Sequence, residues 1–292
     1  MQKQLESGNL EQKEIEKAKA GQKQDFPRGI PECGADAMRF ALCAYQGSNR
    51  DINLDIMRVE GYRKFCNKLW NATRFALMKL GSDFVPNATE PKKAELTTLP
   101  QKWIMHRLNV VVEEVNQTMA DYNFIGATSA IHRFWLYELC DVFIEAIKPV
   151  VDGEGYTDAV KKTSKNVLYT ALDYGLRLIH PFMPFVSEEL FQRLGRRPGD
   201  AIESIMLAAF PEPNPEWKNE DAVQSFDTLN SVVKSIRSLA TDYGLRAKAT
   251  GKILHALITI LNDTISLHIR YIRCISRNVD VGGGHHFHAH FY

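Results

Sequence analysis

Six polar residues that can bind nucleic acid recur at helical spacing within one stretch of the sequence. They are Arg63, Lys64, Asn67, Lys68, Asn71 and Arg74. Guanidinium and ammonium groups bind phosphates, whereas amides and guanidinium groups also hydrogen-bond the edges of bases. Because side chains three or four positions apart are neighbours on a helix, these six are expected on one face. The pattern predicts a helical surface that contacts RNA through both phosphates and bases.

The same basic face has a simpler explanation, which is a solvated surface whose charges are neutralised by neighbouring acids. Charge alone does not separate the two interpretations. Asn67 and Asn71 favour RNA binding, because they are four residues apart and in line with Arg63 and Arg74. A strip of lysines alone would bind phosphate without recognising bases.

The helix that positions these residues is predicted within the stretch of residues 51–80. Its buried side is marked by small or apolar residues at alternating steps of three and four: Val59, Tyr62, Cys66, Leu69, Thr73, Ala76 and Leu80. Asp55 is the predicted N-cap, and Gly81 is the predicted stop. Trp70 and Phe75 are predicted to belong to the core rather than to form stacking platforms.

The rest of the chain predicts a mainly α fold. Further long helices with wide apolar stripes are expected over residues 100–119, 126–148, 157–179 and 221–241, and a short one over residues 35–45. Pro149 is predicted to end the third long helix. Residues 205–210 are predicted to form a short strand or an extended segment. Helices of this kind pack into a bundle.

Some charged residues outside the central helix have both a functional and a structural explanation. Residues 195–200 form a basic loop at one end of the bundle, where Arg193, Arg196 and Arg197 lie close together and could add phosphate contacts. For Asp36 and Arg39, which are three residues apart, an ion pair within one helix is favoured.

His132 and Arg133 are predicted to face away from the apolar stripe of their helix. Either residue could meet RNA, although an exposed histidine is more often merely solvated. No chemistry is assigned to them.

Composition limits the kind of surface and the cellular compartment that the sequence predicts. The net charge is +1 and 45% of residues are hydrophobic, so an RNA-binding surface must come from local segregation of charge. Five scattered cysteines without a CxxC pair indicate buried thiols in a reducing compartment: Cys33, Cys43, Cys66, Cys140 and Cys274. We find no signal-peptide pattern and no membrane-spanning stretch, and predict a soluble, cytoplasmic protein without a membrane partner.

Three histidines near the C-terminus alternate along the chain: His286, His288 and His290. An extended segment would place them on one side, as zinc or nickel ligands require. No fourth ligand or orienting carboxylate is nearby, and we predict no metal site.

The motifs of the central stretch resemble a known family. The run GYRKFCNKLWNATRF is similar to the segment of class Ia aminoacyl-tRNA synthetases where the chain enters the helical anticodon-binding domain. Upstream, GIPECGADAMRFALCAY and GSNRDINLD resemble the valyl members more closely than the isoleucyl or leucyl members. The resemblance runs from about residue 9 to about residue 245, and the tail beyond it resembles nothing in that family.

The resemblance implies a class Ia anticodon-binding helical bundle preceded by the trailing edge of the Rossmann-like catalytic domain. We expect the linker and trailing edge over residues 1–50, the bundle over residues 51–245 and a divergent tail over residues 246–292. It implies part of a valine–tRNA ligase, with tRNA(Val) as partner through the six polar residues. Other translation factors or synthetases are further partners to consider.

The resemblance also bears on catalysis. ATP is the cofactor of the family, but the HIGH-like and KMSKS-like motifs that handle its phosphates do not occur in this sequence. We predict no catalytic, ATP-binding or metal-binding residue here, and no aminoacylation by this chain alone. The alternative function is a non-catalytic helical scaffold, or a truncated product, within a synthetase complex.

Overall fold

The computed structural model describes residues 5–27, 29–45 and 54–242, and within these ranges it contains helices and no β-strand. The α-helices are α1 (Gln12–Asp25), α2 (Ala35–Tyr45), α3 (Ile56–Leu80), α4 (Leu99–Ala120), α5 (Phe124–Arg133), α6 (Ile144–Asp152), α7 (Asp158–Ile179), α8 (Pro184–Arg193) and α9 (Glu220–Asp242). A π-helical segment, Phe134–Phe143, joins α5 to α6. The mainly α fold predicted from the sequence is therefore confirmed.

Helix α3 begins and ends where local chemistry dictates. The Asp55 side chain accepts a hydrogen bond from the Met57 backbone N–H at 2.8 Å, which caps the first turn. Gly81 ends the helix with a φ of 87°, a conformation that costs glycine little. The predicted stripe faces the core, with Val59, Leu69 and Ala76 fully buried. Both predicted boundaries of α3 are confirmed.

Helix α5, the π-helical segment and α6 form one continuous rod that extends past Pro149. Here the sequence prediction was wrong, because α6 continues to Asp152. A proline removes only its own N–H and fixes its φ near the helical value, so the residues after it remain free to be helical. Ile147 and Val150 are both buried, and their packing favours the continuation.

This rod runs parallel to α3 at a constant register. Lys68 Nζ lies 3.2 Å from Asp141 Oδ1, and Lys79 Nζ lies 2.6 Å from Asp152 Oδ2; each pair is 73 residues apart in the chain. Between these two contacts, the Lys148 ammonium group lies 5.0 Å from the centre of the Phe75 ring. Three contacts at one offset hold the two helices side by side and fix which face of α3 is turned outward.

The connecting segments are held against the bundle by buried polar side chains. Asn166 Oδ1 accepts a hydrogen bond from the Asn87 backbone N–H at 2.7 Å, and Asn109 Oδ1 accepts one from Asn214 at 2.6 Å. In the segment predicted to be a strand or extended, residues Ile205–Leu207 form a single 3₁₀ turn instead, and Ala208 after the turn is extended. The Ser204 hydroxyl caps this turn by accepting from the Met206 N–H, so a local polar contact decides its conformation.

Replacing Gly175 by alanine is expected to lower the free energy of unfolding by about 1–2 kcal/mol. An added Cβ would lie 2.9–3.2 Å from three atoms of the buried Trp135 indole, whose Nε1–H donates to the Gly175 carbonyl. Gly61→Ala is the matched control, because that helical glycine has nothing within 4 Å of an added Cβ. The control should raise stability by about 0.5–1 kcal/mol. Urea unfolding measures both, and equal effects would contradict the tight packing at Gly175.

Candidate nucleic-acid interface

The structure brings the six predicted residues together on the outward side of α3. This set, called here the α3 polar face, consists of Arg63, Lys64, Asn67, Lys68, Asn71 and Arg74. Five of the six side chains are exposed and Lys68 is half-buried. At 100° per residue, the two asparagines lie along the middle, the two arginines along one flank and the two lysines along the other. The flank with the lysines faces the π-helical segment.

Acids neutralise the lysine flank. Lys64 Nζ lies 3.3 Å from Glu60 Oε1 one turn away, and Lys68 pairs with Asp141 at 3.2 Å. Surface pairs of this kind are weak, contributing about 0–1 kcal/mol, and are screened by salt. A phosphate can therefore displace the acid, but the exchange gains less than binding to an unpaired ammonium group. The simpler interpretation offered by the sequence thus holds for the lysines.

The arginine flank is different. Across the part of the chain that the structure describes, neither Arg63 nor Arg74 forms a salt bridge, and both side chains are exposed. The Arg63 guanidinium lies close to the backbone at Gly34, where an added Cβ would be 3.4 Å from Nη1. Among the six residues of the α3 polar face, these two guanidinium groups are therefore better placed than the lysines to bind anionic or base-edge oxygens.

Two aromatic residues border the α3 polar face. Trp70 is half-buried and lies under the guanidinium group of Arg193, which is 4.8 Å from the ring centre. Phe75 is half-buried and is approached by the ammonium groups of Lys79 at 5.5 Å and Lys148 at 5.0 Å. Cation–π contacts of this kind cover aromatic surface and hold the cations in place. The two rings belong to the packed edge of the bundle, between core and solvent.

Asp36 and Arg39 bind a neighbouring helix rather than each other. The Asp36 carboxylate accepts hydrogen bonds from the backbone N–H groups of Phe185 at 3.2 Å and Val186 at 2.7 Å, in the first turn of α8. Arg39 Nη2 donates to the Pro181 carbonyl at 3.0 Å. The ion pair predicted within α2 is therefore wrong, because the tertiary contacts with α8 and the chain before it satisfy both side chains.

Donors of the basic loop are used within the protein. Arg197 Nη1 donates to the carbonyls of Asn87 at 2.8 Å and Thr89 at 3.0 Å, and Nη2 donates to the Thr170 hydroxyl at 2.9 Å. Arg196 likewise donates to the backbone carbonyls of Phe191 at the end of α8, of Leu194 and of Ile202. Guanidinium groups engaged in this way hold the loop on the bundle, which argues against their predicted use as phosphate contacts.

His132 is packed among aromatic rings rather than exposed. Its imidazole lies 4.7 Å from the Phe65 ring, 6.0 Å from Tyr62 and 6.5 Å from Phe40, measured between ring centres. Arg133 beside it pairs with Glu114. The prediction that these two residues face away from the packed side fails for His132, because α2 and α3 cover that side of α5.

Burial lowers the pKa of His132, and this gives a pH dependence with a definite sign. The unfolded imidazole keeps its ordinary pKa near ~6.5, so protonation favours the unfolded chain. The free energy of unfolding should therefore fall as the pH drops from about 7.5 through this value. A His132→Phe variant should lose part of this dependence in pH-resolved urea unfolding. His106 and His180, whose pKa values are also lowered by burial, should retain the rest. An unchanged pH profile would contradict this role.

The four described thiols are free, but the predicted burial holds only for Cys140, because Cys33, Cys43 and Cys66 are half-buried. Burial raises the pKa of Cys66 to about 11 and that of Cys140 to about 12, so both remain protonated near neutral pH. Cys274 lies outside the described residues. Thiolate chemistry is therefore not expected at Cys66 or Cys140.

The described residues contain no helix that is both long and apolar enough to cross a membrane. They also contain no group of three or more His, Cys, Asp or Glu side chains that could hold a metal ion. The histidines at 286, 288 and 290 lie outside these residues, as does the rest of the predicted tail after Asp242.

Comparisons with known proteins identify relatives along most of the chain. It is 52% identical to a valine–tRNA ligase of Schizosaccharomyces pombe over 246 residues, which is 83% of this chain and 24% of that protein. Against the human valine–tRNA ligase it is 51% identical over 244 residues, covering 83% of this chain and 19% of the relative. The valine–tRNA ligase of Caenorhabditis elegans is 41% identical over 303 aligned positions, covering 98% and 29%. The chain thus spans less than a third of each of these relatives.

A solved structure is also similar, the ternary complex of Agrobacterium radiobacter K84 LeuRS with tRNA and LeuAMS. It shares 22% identity and a TM-score of 0.47, covering 66% of this chain and 21% of the other. The family described as the anticodon-binding domain of tRNA ligase matches residues 101–257, which is more than half of the chain and begins after α3. The chain belongs to this family of tRNA-ligase anticodon-binding domains.

Proposed function

We propose that this chain is the anticodon-binding part of a valine–tRNA ligase, and that the α3 polar face contacts the anticodon loop of tRNA(Val). The observation that carries the proposal is the arginine flank, where Arg63 and Arg74 are exposed and without a salt bridge in the described part of the chain. Membership of the family and about 50% identity to valine–tRNA ligases support the kind of partner. The six residues themselves rest on the geometry of α3.

The side chains of the α3 polar face would make different kinds of contact with the RNA. Arg63 and Arg74 would hold phosphates or base edges with charge-assisted hydrogen bonds, which are shorter and stronger than neutral ones. Asn67 and Asn71 would hydrogen-bond bases that the loop leaves unstacked. Lys64 and Lys68 would add weaker, salt-sensitive attraction, since each already has an acidic partner. Burial of the opposite side of α3 keeps all six in a fixed relation.

We extend the proposal to the whole ligase. That enzyme would use ATP to attach valine to its tRNA in the cytoplasm, and this chain would supply the anticodon contacts. We assign no residue of this chain to ATP or to catalysis. Residues 1–50 are assigned to the linker and the trailing part of the catalytic domain, residues 51–245 to the bundle and residues 246–292 to a divergent tail. Other translation factors or synthetases are proposed as further partners.

The proposal is tested by measuring binding of this chain to tRNA(Val) and to the same tRNA with its anticodon exchanged. We expect tighter binding to the valine anticodon, and a log–log salt slope of about −3 for roughly four phosphate contacts. Equal and weak binding to both tRNAs would contradict the proposal and favour the scaffold function. Two salt concentrations are needed, because an affinity without its salt dependence does not separate phosphate from base contacts.

A further inference from the structure

A cavity of about 500 Å³ opens beside the arginine flank, between α2, α3 and the start of α8. Two residues of the α3 polar face line it, together with two aromatic side chains and the carboxylate that caps α8. Its lining includes Asp36, Arg63, Asn67, Trp70 and Phe185. Its volume is within the range typical of small-ligand sites, about 300–1,000 Å³.

Phe185 is the unexpected member of this lining. Its side chain is 67% exposed, although it ends a corner, HPFMPF (residues 180–185), whose other phenylalanine, Phe182, is buried in the core. Single exposed apolar residues are common on protein surfaces. Here, however, the aromatic residue borders a cavity that also contains a guanidinium and an amide.

Contacts on two sides of the cavity hold its walls in place. Both oxygens of the Asp36 carboxylate accept hydrogen bonds from α8, from the N–H groups of Phe185 and Val186. These bonds tie the first turn of α8 to α2 across the cavity. On the other side, the Arg193 guanidinium covers the Trp70 ring at 4.8 Å. A preformed site loses little conformational entropy when a ligand enters.

The polar groups that can meet a ligand are those of Arg63, Asn67 and Asp36, whose carboxylate oxygens each accept one N–H of α8 and retain further acceptor capacity. The lining therefore offers a guanidinium, an amide, one partly engaged carboxylate and an exposed aromatic ring. This combination suits a flat, polar-edged ring better than a metal ion, which needs free anionic ligands, or an aliphatic side chain, which needs no hydrogen bonds.

We propose that this cavity receives one unstacked base of the tRNA anticodon loop. The base would stack on Phe185 and present its edge to Arg63 and Asn67, while Arg74 attracts the adjoining phosphates. This inference rests on the proposed function, and it adds a residue and a pocket that neither the family match nor the six-residue pattern contains. Stacking on an aromatic side chain tolerates any base, so selectivity would come from Arg63 and Asn67.

The test uses this chain with anticodon stem-loops that carry 2-aminopurine at one loop position at a time. Binding should change the fluorescence strongly at one position, and Phe185→Ala should abolish that change and weaken binding about tenfold. Phe185→Leu, which keeps an apolar side chain but loses the ring, should weaken binding similarly. Met206→Ala, at a position that is 76% exposed on the 3₁₀ turn, is the matched control and should bind like the unchanged chain.

The outcomes separate the inference from the proposed function. If Phe185→Ala binds and reports like the unchanged chain while loss of Arg63 and Arg74 weakens binding, the cavity is not a base site and the proposed function stands. If the unchanged chain binds no stem-loop, both are overturned. Thermal unfolding of each variant shows whether a loss of binding comes from misfolding, which is not expected at so exposed a side chain.

Discussion

Replacing Arg63 and Arg74 together by glutamine is expected to weaken binding to tRNA(Val) about 100-fold. A hydrogen bond to a charged group contributes about 1.5 kcal/mol or more, so two lost guanidinium groups correspond to roughly 3 kcal/mol. Both side chains are exposed, and no described acid pairs with either of them. The log–log salt slope should also become less steep by about 0.7 for each phosphate contact that is removed.

Two comparisons make this result specific. Lys162→Gln with Lys234→Gln removes the same charge from exposed positions on α7 and α9 and should change affinity less than threefold or so. Lys64→Gln with Lys68→Gln should cost about tenfold at most, because each ammonium group already has a carboxylate partner. Equal losses for all three double variants would show that binding follows net charge rather than the α3 polar face.

A Trp217→Ala variant should lower the free energy of unfolding by about 4 kcal/mol. Trp217 is 1% exposed, and its Nε1–H donates to the Pro91 carbonyl at 2.9 Å. This hydrogen bond joins the segment between α8 and α9 to the segment between α3 and α4. The Tyr174 ring packs edge-on against it with 5.5 Å between ring centres. Alanine would leave a cavity and an unpaired carbonyl together.

Trp217→Phe separates these two contributions. It keeps an aromatic ring against Tyr174 but removes the N–H, so a loss of about 1–2 kcal/mol is expected. Urea unfolding followed by circular dichroism measures both variants. A loss below about 1 kcal/mol for Trp217→Ala would mean that the connecting segments do not depend on this side chain.

The sequence alone predicts those features of the fold that depend on contacts between residues close together in the chain. The Asp55 cap reaches an N–H two residues ahead, and the Gly81 stop depends on its own φ of 87°, so short-range patterns predict both ends of α3. The outward position of the α3 polar face follows from the same periodicity, since a buried stripe leaves one other side. What that face binds was suggested by its residue types and by the family resemblance.

The features that the sequence did not predict depend on contacts between residues far apart in the chain. Asp36 bonds to residues 149 and 150 positions away, and Arg197 to Asn87, which is 110 positions away, so neither role could be inferred from spacing within one helix. The neutralisation of Lys68 by Asp141 depends equally on how α3 lies beside the π-helical segment. The prediction that Pro149 ends the helix was wrong for another reason. Packing of the residues after the proline outweighs its usual effect on a helix.

If the α3 polar face touches the anticodon loop, a photoreactive side chain on that face should crosslink to the loop. A photoreactive benzoylphenylalanine would replace Asn71, at the middle of the face, and Gln224 on α9 as the control. We expect a crosslink from position 71 that maps to the anticodon loop of tRNA(Val), and none from position 224. Crosslinks from position 224 alone, or from position 71 to nucleotides outside that loop, would contradict this contact.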